Sequence, residues 1–146
     1  MASSFDPRVS PAYVAGLIDG EGQVTIATKR SKKHAAVVAV TMVDRAPLDV
    51  LASTYGGRVY TLTSKNDNWK TPYRWQVSDQ LAENVLRDVR PFLLVKGPQA
   101  DLCLQLREQK MQGGRATPER QAAKDEIFSS RAGLVTKIRE LNRRGV

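Results

Sequence analysis

The sequence has 146 residues, with 23 Lys and Arg against 15 Asp and Glu, a formal charge of +8 and a pI near 9.9. That length fits one domain, residues 1–146, and 41% hydrophobic with 26% charged residues supplies a real core, which excludes a disordered chain; no run approaches the ~18 apolar residues of a membrane span. One cysteine, Cys103, and one histidine, His34, exclude an intrachain disulfide, a histidine-based zinc site and a His-Cys nuclease box, so any chemistry falls to carboxylates, lysine or backbone.

The opening MASSFDPRVS carries neither an apolar signal core nor an Arg-rich amphipathic pattern. The expectation is a protein that acts where it is made, in the cytoplasm or nucleoid of a prokaryote or in an organelle that encodes it. Ser10-Pro11 then reads as a helix start, with Ser as cap and Pro in the first turn. In the helix that follows, Tyr13, Val14, Leu17 and Ile18 read as core. Ala12, Gly16 and Gly20 recur every four residues and form a stripe with almost no side chain, on which a second helix can approach until backbones touch. Glycine costs about 1 kcal/mol relative to alanine in a helix, so this stripe needs a purpose. Asp19 and Glu21 stand at the C-terminal end of the same helix, where the macrodipole disfavours acids. A hard divalent cation held by carboxylate and carbonyl oxygens would relieve them, and a solvated helix end with two ordinary acids is the alternative.

Further along, Gln23–Thr28 alternates polar with apolar, Ala35–Val43 is β-branched and apolar, and Arg58–Thr63 and Tyr73–Val77 are β-branched and aromatic. These four strands make two hairpins. Tyr60, Leu62, Tyr73, Trp75 and Val77 read as apolar stripes, and Thr61, Thr63, Arg74 and Gln76 as the opposite, polar face. Between the hairpins Ala46–Tyr55 reads as a helix ended by Gly56-Gly57. Three helices follow: Asp79–Arg90 before Pro91, Gln99–Met111 before Gly113-Gly114, and a long C-terminal stretch opened by Thr117-Pro118-Glu119. The class is α+β, in the order α-ββ-α-ββ-α with C-terminal helices. Charge is concentrated in it: residues 23–77 hold nine bases against three acids (+6), and residues 115–146 eight against four (+4). Clustered base in a folded domain is the footprint of a nucleic-acid partner.

The nine residues Val14-Ala15-Gly16-Leu17-Ile18-Asp19-Gly20-Glu21-Gly22 resemble the motif that names the LAGLIDADG homing endonucleases, with Val14 for Leu, Gly20 for Ala and Glu21 for Asp. The α-ββ-α-ββ-α order is similar to that family's core fold, with its four-stranded antiparallel DNA-binding sheet. Pro91-Phe92-Leu93-Leu94-Val95-Lys96 followed by Gln99-Ala100 resembles the segment that brings a basic residue to the active site. Ile138 to Gly145 is similar to the tail of the intron-encoded type. A single motif implies a homodimer paired through its motif helices, here through Ala12, Gly16, Asp19 and Gly20. The resemblance implies a site-specific double-stranded DNA endonuclease that cuts a long pseudo-palindromic target by metal-dependent phosphodiester hydrolysis. Mg²⁺ is the implied ion, shared between the protomers, with Glu21 as catalytic acid and ligand and the Gly20 carbonyl as a second ligand. Asp19 matches a position that is mostly structural, and Lys96 matches the active-site base.

A third catalytic position, normally a polar residue that places water, aligns with Met42. This is a departure, and Thr41 or Asp44 are candidates to substitute. The implied DNA face carries Gln23, Thr25, Lys29, Val37, Thr41, Thr61, Thr63, Arg74 and Gln76. Arg74 and Gln76 suit guanine and adenine edges, and Lys29, Arg30, Lys32, Lys33, Lys65 and Lys70 suit phosphates. Lys137, Arg139, Arg143 and Arg144 are candidate backbone contacts. Met42 also keeps open a non-cleaving alternative, an RNA-splicing maturase or a DNA-binding protein.

Overall fold

A computed structural model of the protein describes residues 9–28, 33–63, 70–111 and 118–143, with the backbone alone for residues 110, 111 and 118–130. Ser10 caps the first helix, α1 (Pro11–Glu21), its hydroxyl accepting from the Tyr13 amide at 3.1 Å. The strands are β1 (Gly22–Thr28), β2 (His34–Met42), β3 (Arg58–Thr61) and β4 (Tyr73–Ser78). They form one antiparallel sheet in the order β1-β2-β4-β3, so the two hairpins join through β2 and β4. Helix α2 (Ala46–Tyr55) connects the hairpins. Helices α3 (Gln80–Val89), α4 (Gly97–Met111) and α5 (Pro118–Arg143) follow β4, with a single 3-10 turn at Arg90–Phe92 where Pro91 interrupts α3. The expected α+β order is the observed one, with shifts of one or two residues at most ends. Among the described residues no helix is long and apolar enough to cross a membrane.

One face of the sheet carries the core. Val24 and Ile26 of β1, Ala36, Val38 and Val40 of β2, and Trp75 and Val77 of β4 are buried under α1, α2 and α3. Trp75 is fully buried and its indole N–H donates to the Gly56 carbonyl at 2.9 Å, so a large apolar ring is packed with its one polar atom satisfied. Gly56 and Gly57 adopt φ of +84° and +87°, a backbone that side chains avoid, and this turn aims β3 back along β4. Leu134, Val135 and Ile138 of α5 complete the core, and the Asn142 amide donates to the Val24 carbonyl at 3.2 Å. The C-terminal helix is therefore built into the domain.

Helix α1 departs from its expected burial. Val14, Ala15 and Ile18 are buried, but Tyr13 is 47% exposed and Leu17 only partly covered. Successive helical residues are separated by about 100°. Ala12, Gly16, Gly20, Tyr13 and Leu17 therefore form one continuous arc, which faces away from the sheet.

Candidate active site and nucleic-acid interface

The two acids at the end of α1 meet different fates. The Asp19 carboxylate, partly buried, accepts the backbone N–H of Leu94 at 2.8 Å, of Val95 at 3.2 Å and of Lys96 at 3.0 Å. These amides lead into the N-terminus of α4, where backbone donors lack intrahelical partners. They supply the positive dipoles that a helix C-terminus cannot, so the expected frustration at Asp19 is relieved inside the chain. Lys96 closes the contact from the other side, its ammonium donating to the Asp19 carbonyl at 2.9 Å while only 8% of the residue is exposed. A cation on the last carbonyls of α1 matches the dipole. Asp19 is thus a strut between α1 and the 94–96 segment.

Glu21 receives none of this. It is exposed, and its carboxylate is engaged by no described residue. Among the described residues no three His, Cys, Asp or Glu side chains gather as a metal-binding group. At this helix end, among the described residues, one chain offers one accessible carboxylate, with Gly20 and its carbonyl next to it in the chain. An all-oxygen donor set of this kind fits Mg²⁺ or Ca²⁺ rather than a softer metal, and Mg²⁺ ordinarily keeps several waters and takes phosphate oxygens. The residues fit the ion, with the remaining ligands to come from outside this chain.

Met42 is half-buried against the edge of the core, opposite Tyr73 in the register. A thioether has no proton to give and cannot order water as an amide does. Neighbouring Thr41 points to the other face, where its hydroxyl accepts from Arg74 at 3.4 Å, and Asp44 is exposed in the loop beyond.

The second face of the sheet is the polar one. Its rows follow from the pairing: Gln23, Ala39, Gln76 and Arg58 lie side by side, Thr25, Val37 and Ser78 form the next row on one side, and Thr41, Arg74 and Tyr60 the row on the other. Gln23, Thr25, Val37, Thr41, Arg74 and Gln76 lie on this face, as expected from their parity. The expected parity was one residue out on β3. Thr61 stands opposite Tyr73, on the helix side, and Thr63 lies beyond the strand; Arg58 and Tyr60 occupy the polar face in their place. Reading Tyr60 as apolar set the parity wrongly, whereas Arg58, two residues earlier on the same parity, was the correct signal. Ala35, Val37 and Ala39 make a floor of small side chains on this face, lying low between longer neighbours and outside the core cluster. Lys33 and Lys70 are exposed beside the strand ends. Lys29, Arg30, Lys32 and Lys65 lie outside the described residues, as does Arg144.

The exposed arc of α1 is open as well as small. A Cβ built on Gly16 or Gly20 meets nothing within 4 Å. Beside it, the segment held by Asp19 exposes 92% of Leu94 and 49% of Phe92. Large apolar side chains this exposed next to a small-residue helix face mark a surface built for contact.

No protein-family model matches the sequence, and no curated protein does. Solved structures do. The homing endonuclease I-CvuI, in complex with an I-CreI target in the presence of Mg with the DNA not cleaved, is similar over 90% of this chain and 80% of its own, at TM-score 0.68 and 20% identity. The archaeal intron-encoded homing endonuclease I-Vdi141I, complexed with DNA, matches 90% of this chain and 82% of its own at TM-score 0.66 and 17% identity. The homing endonuclease I-TnaI matches 91% and 98% at TM-score 0.54 and 18% identity. The fold is that of the LAGLIDADG homing endonucleases, as the motif led one to expect.

Proposed function

We propose that this chain is one protomer of a homodimeric, Mg²⁺-dependent, site-specific double-stranded DNA endonuclease. The observation that carries the reading is the division of labour at the end of α1: Asp19 is consumed by three backbone amides, and Glu21, two residues on, is exposed and unengaged among the described residues. A helix end that neutralises one acid internally and presents the other is suited to hold a cation at a phosphate. Supporting it are the basic polar sheet face, the open α1 arc, and solved structures of the same fold bound to DNA.

In this reading the sheet lies along the major groove of a half-site, with Arg58, Lys33 and Lys70 countering phosphate charge and orienting the duplex, and Arg74 facing the base edges. Pairing of two α1 helices through Ala12, Gly16 and Gly20 brings a second Glu21 to the middle of a pseudo-palindromic site. Glu21 and the Gly20 carbonyl would hold the ion. A bound Mg²⁺ would supply Lewis acidity there, activating a water and offsetting charge on the scissile phosphate. Lys96, pinned by one N–H to the Asp19 carbonyl, has two N–H bonds left with which to stabilise the phosphate oxygens.

The test is incubation with a plasmid library of randomised inserts, with and without Mg²⁺, recovering linear products by sequencing. Metal-dependent cutting at related sites is expected, and Glu21→Gln should bind the same duplexes without cutting. Met42 favours one other reading, a DNA-binding protein that has kept the fold and lost chemistry; tight selective binding by the unaltered chain with no product in Mg²⁺ would decide for it.

A further inference from the structure

Arg74 does not stand alone on the sheet face. Its Nε donates to the Gln76 side-chain oxygen at 3.1 Å, one terminal nitrogen to the Thr41 hydroxyl at 3.4 Å, and the other to the Gln23 side-chain oxygen at 3.3 Å. The guanidinium is thereby tied to three strands at once: β4, its own, together with β2 and β1. The row between Gln23 and Gln76 is occupied by Ala39, 1% exposed, whose small side chain leaves room for the guanidinium to cross.

Hydrogen-bond chemistry fixes what this unit offers to a ligand. Arginine has five N–H donors and no acceptor, so both glutamines must turn their carbonyl oxygens toward Arg74 and their NH₂ groups away from it. Thr41 spends an oxygen lone pair on Arg74 and keeps its O–H. With three of five guanidinium donors used, one N–H is left on each terminal nitrogen. The groups turned outward are donors, two amide NH₂ groups, one hydroxyl and two guanidinium N–H, while the acceptor oxygens are turned in toward Arg74.

We propose that Gln23, Thr41, Arg74 and Gln76 act as one all-donor reading unit that selects guanine, and keto bases beside it, in each half-site. The proposal rests on the DNA-binding reading above and deepens it. Guanine presents two acceptors, O6 and N7, to the major groove, and thymine presents O4. Adenine and cytosine each present an amino donor, which here meets outward-turned donors. Glutamine reads adenine by giving an N–H and accepting one with both amide ends turned to the base, whereas the oxygens of Gln23 and Gln76 are turned to Arg74 and their NH₂ groups lead outward. Gln76 therefore does not read adenine in this chain, as its residue type alone would imply. Gln23, Thr41 and Gln76 are also positioning residues for Arg74, because they fix the plane of the guanidinium.

The experiment is selection of bound duplexes from a randomised double-stranded library by the full chain in Ca²⁺, followed by sequencing, with thermal melting to check that each variant is folded. The unaltered chain should enrich guanine at one position per half-site, flanked by guanine or thymine on the same strand. Arg74→Ala should abolish that guanine preference. Gln76→Leu frees Nε and leaves Arg74 in place, and it should weaken the preference by about tenfold. Gln76→Glu keeps an oxygen for Nε while replacing the outward NH₂ with an acceptor, so guanine at the first position should persist and the neighbouring preference should move to cytosine. Adenine enriched in a Gln76-dependent way by the unaltered chain would overturn the proposal, as would a guanine preference indifferent to both Gln76→Leu and Gln23→Leu. Either of those outcomes leaves DNA binding standing. Failure of the unaltered chain to enrich any duplex overturns the DNA-binding reading, and this inference with it.

Discussion

Three amide hydrogen bonds converge on the Asp19 carboxylate, and hydrogen bonds to a charged group contribute about 1.5–3 kcal/mol each before coupling. Asp19→Ala should therefore destabilise the fold by about 2–4 kcal/mol, read as a drop in denaturant midpoint. Glu21→Gln should leave that midpoint within about 0.5 kcal/mol of its original stability, since no described contact is lost, while the cleavage proposed above should disappear. The pair of variants separates a strut from a site two residues apart. Cys103 makes a different point. Burial pushes its thiol up to about 12, outweighing the downward pull of the Val37 backbone, so it stays protonated at neutral pH. Alkylation by iodoacetamide should be slow in the native protein and become rapid only in denaturant. The sequence showed which acid was structural only through the motif; that its partners would be the amides of residues 94–96 lies 75 positions away along the chain, beyond any local pattern.

Among the elements, α1 and the β3 turn respond oppositely to added bulk. At Gly16 and Gly20 a new side chain enters open space, so Gly16→Leu and Gly20→Leu should leave the isolated chain folded and disrupt pairing, seen as monomer by sedimentation. At Gly57 a Cβ would sit 2.6 Å from Val77 Cγ1 and 2.8 Å from the Gln76 carbonyl, at a φ of +87°. Gly57→Ala should cost about 2–4 kcal/mol and shift the polar-face residues of β4. The helices were legible because caps and breakers are local: Ser10-Pro11 opens α1, and Gly56-Gly57 closes α2. Strand β3 was legible in place but misread in parity, because it is a four-residue edge strand whose tyrosine is half exposed on the polar side. Packing against Trp75 selects Val59 for the core, and a side chain as amphipathic as Tyr60 carries no strong vote. Helix α4 begins at Gly97, two residues before the expected Gln99, in step with the amides that Asp19 holds.

At the scale of the molecule, α3 and α4 are tied through one buried carboxylate. Burial raises the Glu83 pKa, and hydrogen bonds from Arg107, Arg87 and Gln80 outweigh it, leaving the group below its ordinary value of 4.5. A lowered folded-state pKa means stability that is fully present above the unfolded carboxylate value and is lost as pH falls through the folded one. Stability should decline below about pH 4.5, and Glu83→Gln should flatten that acid limb in melts taken from about pH 6 to pH 3. The Arg90–Asp101 pair, at 2.6 Å, also holds its acid below the usual range, but both side chains are well exposed and its share is small. The exposed arc of α1, with Leu94 and Phe92 beside it, carries a last consequence. If the folded chain pairs there and the unfolded chain does not, mass action links folding to association. The melting temperature of this protein should then rise with its own concentration, and that dependence should vanish in Gly20→Leu: how stable the fold is would depend on how much of it a cell holds.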